Sequence, residues 1–148
     1  MKKIMVITGA SSGMGREYIR QLSEKYPADE IWAIGRSKER LEELKQISAI
    51  PVCPIRMDLS RMEEIRAQYT ARLEAEKPEI TALINDAGFG AFDHTENLST
   101  DLLLNMIDLN DKACVAMISD SLPYMAAGGN IVNMASCAGF QPIPYINC

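Results

Sequence analysis

The sequence predicts a doubly wound parallel α/β sheet with strand order 3-2-1-4-5. Two observations carry that expectation. The first is a glycine-rich stretch, Thr8-Gly9-Ala10-Ser11-Ser12-Gly13-Met14-Gly15, which follows the apolar run Ile4-Met5-Val6-Ile7 and opens a helical pattern. Gly9, Gly13 and Gly15 allow a tight turn that brings backbone N–H groups close to a phosphate, and the positive end of the following helix favours the anion. The second is the alternation of strand-length apolar runs with stretches of helical period, joined by short loops. That alternation belongs to a parallel sheet covered on both faces.

Each element follows from its residues. Ile4–Ile7 reads as a buried first strand. Met14, Tyr18, Ile19, Leu22 and Tyr26 keep helical spacing until Pro27, which cannot continue the helix. Ile31-Trp32-Ala33-Ile34 is a second strand, closed by Gly35-Arg36-Ser37. Ser37 is an N-cap candidate for a helix with Leu41, Leu44 and Ile47 facing inward. Pro51-Val52-Cys53-Pro54-Ile55 is a third strand, placed at an edge because proline cannot donate to a ladder. Ser60 and Glu63 have capping-box spacing ahead of a helix burying Met62, Ile65, Tyr69 and Leu73. Ile80–Ile84 is a fourth strand, ending in Asn85-Asp86-Ala87-Gly88. A long helical pattern runs from about Thr100 to Ala127, with Leu103, Met106, Ile107, Cys114, Met117, Ile118 and Met125 on its apolar face and Gly128-Gly129 as its stop. Ile131–Ala135 is a fifth strand, followed by Ser136. No internal boundary, repeat or low-complexity tract divides residues 1–148.

Composition narrows the function. With 148 residues, 47% of them hydrophobic, the chain has enough material for one domain with a core. A formal net charge of −5 and the lack of a basic stripe argue against a nucleic-acid partner. No apolar run reaches membrane length, and the N-terminal run stops at Thr8-Gly9, too short for a signal peptide. The expectation is a cytoplasmic protein without a membrane segment. Cys53, Cys114, Cys137 and Cys148 form neither a zinc pattern nor a disulfide framework, so reduced thiols in or near the core are expected. His94, the sole histidine, falls in a polar loop without a partner for a metal.

With the glycine loop, the Asn85 stretch and Ser136 in this order, the chain resembles the short-chain dehydrogenase/reductase family along its whole length. The resemblance implies a Rossmann fold and a role for each matching residue. Thr8, Gly9, Ser11, Ser12, Gly13, Met14 and Gly15 would cradle a pyrophosphate. Asp58 with Leu59 would sit against an adenine. Asn85, Ala87 and Gly88 correspond to the family's Asn-Asn-Ala-Gly, with Asn85 bracing the central strand and lining the cofactor groove. Asp86 departs from the family there, placing a carboxylate where an amide is usual. Asn110 matches the helix asparagine of the catalytic tetrad, and Ser136 the serine that hydrogen-bonds a substrate carbonyl. Plainer readings stand beside these: Asp58 as a helix-entry residue, Asn110 as a buried amide satisfied by backbone, Ser136 as a strand-end turn residue.

Cofactor choice turns on the end of strand two. NAD-type sites put an acidic residue about 20 residues past the glycine loop, to accept from the ribose 2′-OH. Gly35 stands there instead, followed by Arg36 and Ser37. An arginine can hold a 2′-phosphate by paired hydrogen bonds, with Ser37 adding a hydroxyl donor, so NADP(H) is expected over NAD(H). The plainer alternative is a solvated surface arginine.

The family's Tyr-x-x-x-Lys, which supplies the general acid, has no counterpart in these residues. Counting from Ser136, it should fall at or just past Cys148, while Tyr145 has no lysine behind it and lies among prolines. Tyr145 therefore reads as a substrate-loop residue, and the chain as the N-terminal three-fifths of a family member, short of the last helix and strands. By resemblance the activity is NADP(H)-dependent interconversion of an alcohol and a ketone or aldehyde, but these residues lack the general acid, so no turnover is expected from the chain alone. Phe89, Phe92, Phe140 and Ile143 are candidates for an apolar substrate wall, or for plain packing. The helix from Thr100 is expected to join a homo-oligomer, and the uncovered fifth strand to leave the chain poorly stable. A non-catalytic NADP(H)-binding or dimerisation module is the alternative. A methyltransferase-like nucleotide domain is weaker, since Gly35-Arg36 offers no acid after strand two.

Overall fold

In the computed structural model, residues 1–141 and 145–147 are described; Ile143 and Cys148, both named above, lie outside them. The elements run β1 (Lys3–Thr8), α1 (Gly13–Lys25), β2 (Glu30–Gly35), α2 (Lys38–Glu43), β3 (Val52–Arg56), α3 (Met62–Glu64), α4 (Ala71–Glu76), β4 (Glu79–Asn85), β5 (Ala91–Phe92), α5 (Thr100–Ile107), α6 (Ala113–Ser121), β6 (Met125–Asn133) and β7 (Ile146–Asn147). The main sheet is parallel with order β3-β2-β1-β4-β6. That is the predicted doubly wound order, with β6 as the fifth strand. The short β5 and β7 pair antiparallel as a separate ribbon, which sequence patterning did not indicate.

The sheet is buried on both faces, and the period of two along each strand sorts its residues. Ile4, Val6, Trp32 and Ile34 face Ile65, Tyr69, Leu73 and Met117. Met5, Ile7, Ile31 and Ala33 face Ile19, Leu41 and Leu44. Trp32 is fully buried; its ring meets Tyr69 edge-on at 6.3 Å, and the Arg72 guanidinium lies 4.5 Å from its centroid. Tyr69 Oη and Ser121 Oγ are 2.6 Å apart inside this layer, and Ser121 Oγ also donates to the Met117 carbonyl. Burial pushes the Tyr69 phenol well above its ordinary range. Tyr69→Phe should cost about 1 kcal/mol, the net worth of one such bond. Thermal unfolding would show this as a fall of about 2–4 °C.

Three local expectations are corrected. Ser60 does not cap its helix. The Asp58 carboxylate accepts from both the Ser60 N–H (3.0 Å) and its hydroxyl (2.8 Å), while Glu64 accepts from the Asp58 N–H (2.8 Å). The Ser60 N–H that a capping box would give to Glu63 thus goes to Asp58, and the helix starts after Arg61, without a side-chain cap. A π-helical segment, Ile65–Thr70, joins α3 to α4.

The long helix is also shorter than expected. α5 passes through a π-helical turn, Asp108–Lys112, into α6, and a 3-10 turn at Leu122–Tyr124 ends it. Pro123 has no N–H to extend the helix. Met125 belongs to a strand, and Gly128-Gly129 lie inside it rather than at a helix stop. Gly128 takes φ +79°, and the pairing jumps from Ile80↔Met125 to Ala82↔Asn130, so the glycines absorb extra residues opposite β4. Ile107, expected on the apolar face, is 42% exposed.

The third correction concerns the aromatic wall. Phe92 and Phe140 are 75% and 95% exposed, so burial in a core does not account for them. β3 is an edge strand, as its prolines require, with Pro54 opposite Ala33. Among the described residues no helix is long and apolar enough to cross a membrane, and no group of His, Cys, Asp or Glu could hold a metal ion. Cys53 and Cys114 are half-buried free thiols, and Cys137 is an exposed one.

Candidate cofactor site

The loop after β1 folds against the loop after β4 because three groups demand it. Thr8 is buried, and its Oγ1 accepts from the N–H groups of Asp86 (3.0 Å) and Ala87 (3.1 Å). Gly9 takes φ +66°, and a Cβ there would stand 2.8 Å from the Ala87 nitrogen. Gly15 packs on Gly9 so closely that a Cβ would meet the Gly9 carbonyl oxygen at 2.5 Å. Thr8 and Gly15 thus build the site from behind and do not line it.

In front of this platform lies a cleft of about 300 Å³. Its floor is Gly9, Ser11, Ser12, Gly13 and Met14. Arg36 comes from the end of β2, Asp58 and Leu59 from the turn after β3, and Ala87 and Gly88 from the loop after β4. Sequence reasoning therefore placed most of the wall. Gly35 and Asp86, noted in the sequence without a cofactor-binding role, also line the cleft, and so do Met57 and Leu109, which sequence reasoning missed. Met57 and Leu109 are chain neighbours of Asp58 and Asn110, so adjacency was the available signal.

The other candidates stand elsewhere. Asn85 is buried and donates to Asn133 Oδ1 at 2.9 Å, tying β4 to β6. Ser37 accepts from the Arg40 N–H at 3.3 Å as the cap of α2, as expected, and its hydroxyl donates to Glu39. Asn110 sits in the π-helical turn with both amide atoms committed to one residue. It accepts from the Phe89 N–H (3.0 Å) and donates to the Phe89 carbonyl (2.9 Å). It thereby fixes the loop that ends the cleft, in a helix irregularity of a kind frequent at functional sites. Ser136 is exposed beyond the end of β6, and its Oγ accepts from the Ala138 N–H at 3.1 Å. His94 stacks edge-on against Tyr145 at 4.7 Å.

The cleft suits an anionic nucleotide. The first turn of α1 has neither a side-chain cap nor an acidic residue, and with the Gly15 N–H given to Asp86 the N–H groups of Gly13 and Met14 are left to face a ligand. Gly13 has φ +52°, and a Cβ there would meet nothing within 4 Å, so open space stands over the helix start. One group opposes the fit. Asp86 Oδ1 is buried without a hydrogen-bond partner. Burial pushes this carboxyl above the ordinary carboxylate range, against the pull of the Gly15 N–H.

The sequence profile described as "short chain dehydrogenase" matches residues 3–148. The chain belongs to this family. It is 29% identical over 143 residues to an uncharacterized oxidoreductase of Staphylococcus epidermidis, a match covering 95% of the chain and 61% of that relative. It is 32% identical over 142 residues to the NADP-dependent 3-hydroxy acid dehydrogenase YdfG of Escherichia coli, covering 94% of the chain and 56% of the relative. Among solved structures, a metagenomic short-chain oxidoreductase in complex with NADP superposes with a TM-score of 0.84 at 28% identity, over 96% of this chain and 65% of the other. This short-chain dehydrogenase sequence thus spans about three-fifths of its relatives, and its cleft lies in the part they share.

Proposed function

We propose that the cleft binds NADP(H), and that the protein is an oxidoreductase interconverting an alcohol and a ketone or aldehyde. The observation that carries the reading is the end of β2. Gly35 and Arg36 stand on the cleft wall where a carboxylate would repel a 2′-phosphate, opposite the uncapped start of α1. The NADP named with several relatives supports it. Bound there, the cofactor would supply or accept the hydride. Gly9, Ser11, Ser12, Gly13 and Met14 would hold the pyrophosphate, with Asp58 and Leu59 beside the adenine. Asn110 would position the Phe89 backbone at the far end. Ser136 would polarise the substrate carbonyl from the end of β6.

Equilibrium binding tests the first step. Arg36→Asp should weaken NADPH binding by about 10–100-fold, the worth of charge-assisted hydrogen bonds, and move preference toward NADH. Unchanged NADPH selectivity would remove Arg36 from the site.

The 148 residues contain no Tyr-x-x-x-Lys, so the chain alone should bind NADPH without turning over a carbonyl substrate. A non-catalytic binding module is the second reading, favoured by the same observation. Leu104, Ile107 and Val115 are exposed on α5 and α6 and form an apolar face for a second copy. Sedimentation should therefore show self-association; a monomer that melts cooperatively would oppose it.

A further inference from the structure

Beyond the glycine-loop cleft the surface continues into a second hollow of about 380 Å³, which shares Arg36, Met57 and Asp58 with it. Its walls add Arg56, Arg61, Glu64 and Gln68. Arg56 is the last residue of β3 and pairs in register with Gly35, directly beside Arg36. Its Nε donates to the Arg36 carbonyl at 3.3 Å, which anchors the guanidinium over the end of β2 and leaves its Nη groups for another acceptor.

Neighbouring charges are otherwise engaged. Arg61 is paired with Glu63 and Glu64. Glu64 also accepts from the Asp58 N–H, and the Glu39 carboxylate accepts from the Ser37 hydroxyl. Among the described residues Arg16, Arg20, Arg61 and Arg72 have a carboxylate at ion-pair distance, whereas Arg36 and Arg56, like Arg40 and Arg66, do not; of these four only Arg36 and Arg56 line the hollow. Glu39 feels the Arg56 charge only from beyond ion-pair distance, so two guanidinium groups without a contact carboxylate converge on one hollow beside the cleft. The Ser37 hydroxyl has one proton, and Glu39 takes it. The second donor that the sequence assigned to a 2′-phosphate is thus committed to the cap of α2.

We infer that Arg56 is a specificity-determining residue that, with Arg36, clamps the 2′-phosphate of the nucleotide in place of Ser37. The inference rests on the NADP(H) reading above. A phosphate dianion would neutralise both guanidinium groups, and two forked donors from adjacent strand ends match its oxygens better than one arginine and a hydroxyl.

The test compares 2′,5′-ADP with 5′-ADP by titration calorimetry on the wild-type chain and on Arg56→Gln, Arg56→Lys and Arg36→Gln. The wild type should prefer 2′,5′-ADP. Arg56→Gln should lose about tenfold in 2′,5′-ADP affinity, as for a charge-assisted bond, with 5′-ADP unchanged. Arg56→Lys should recover part of the loss. Binding of 5′-ADP is itself the check that each variant is folded. A wild-type preference kept in full by Arg56→Gln overturns the role of Arg56 while Arg36→Gln still reports the site. Equal loss of both ligands in Arg56→Gln makes Arg56 structural and also overturns it. A wild type indifferent to the 2′-phosphate overturns the NADP(H) reading instead.

Discussion

Gly15→Ala is expected to weaken nucleotide binding at least tenfold and to lower stability by about 2 kcal/mol, the usual cost of an added methyl group in a close-packed site. The new Cβ would stand 2.5 Å from the Gly9 oxygen, 2.8 Å from the Gly9 carbon and 3.0 Å from the Ala10 Cα. All three are main-chain atoms, so no side chain can swing aside. The loop must lift from α1. Gly9 cannot follow freely, because the Ala87 nitrogen already lies against its own open side. Lifting the loop would separate the N–H groups of the α1 start from the cleft they face. Thermal melting should fall by about 4–8 °C. Gly13→Ala is the contrast. It meets no atom within 4 Å, but its φ of +52° carries the left-handed cost of about 1–2 kcal/mol. Its effect on stability is conformational, and its effect on binding comes from filling the space over the helix start. An unaltered melting temperature and affinity in Gly15→Ala would contradict the packing described.

Asp86→Asn should act in the opposite direction. The carboxylate lines the cleft, and its Oδ1 is buried without a partner. Desolvation raises its pKa above the unfolded value, with the Gly15 N–H opposing. The folded chain therefore holds a proton there more tightly than the unfolded chain. Stability from this group is fully present below the ordinary carboxylate pKa and is lost as pH rises through the raised folded value. At neutral pH the ionised group is a burden, and the amide should be more stable by about 1 kcal/mol. A bound pyrophosphate adds a second negative charge to the same cleft. NADP⁺ affinity should then rise about tenfold in Asp86→Asn at pH 8, and the difference from wild type should shrink as pH falls through the raised pKa of Asp86. The readout is the ratio of the two dissociation constants across pH, which cancels titration of the ligand's own phosphate. A ratio that stays flat and near one would show that Asp86 faces away from bound nucleotide.

Much of the fold was legible because its determinants are local. The strands β1, β2 and β4 are continuous apolar runs, the pattern of a sheet buried on both faces, and the loop glycines announced the first crossover. The edge position of β3 followed from Pro51 and Pro54. The end of α6 was not legible. Gly128-Gly129 is a strong helix stop in isolation, yet the pairing with β4 drew Met125 into a strand and placed the glycines at a register shift. Ser60 and Glu63 had the right spacing for a cap, but both the N–H and the hydroxyl of Ser60 went to Asp58, just past the end of β3.

The site divides along the same line. The sequence alone determined which residue types meet the cleft: the glycines of the first loop, Arg36 without an acid before it, and Asp58 ahead of its helix. These follow from chain order once the strands are placed. Only the tertiary structure decided which of them face the cleft and which support it. Thr8, Gly15 and Asn85 point their bonding groups into other elements, and Arg56 joins Arg36 through the parallel register of β2 and β3. The physical reason is that a side chain's hydrogen-bond partners, and the space beside a glycine, come from segments distant in sequence, which local pattern does not encode.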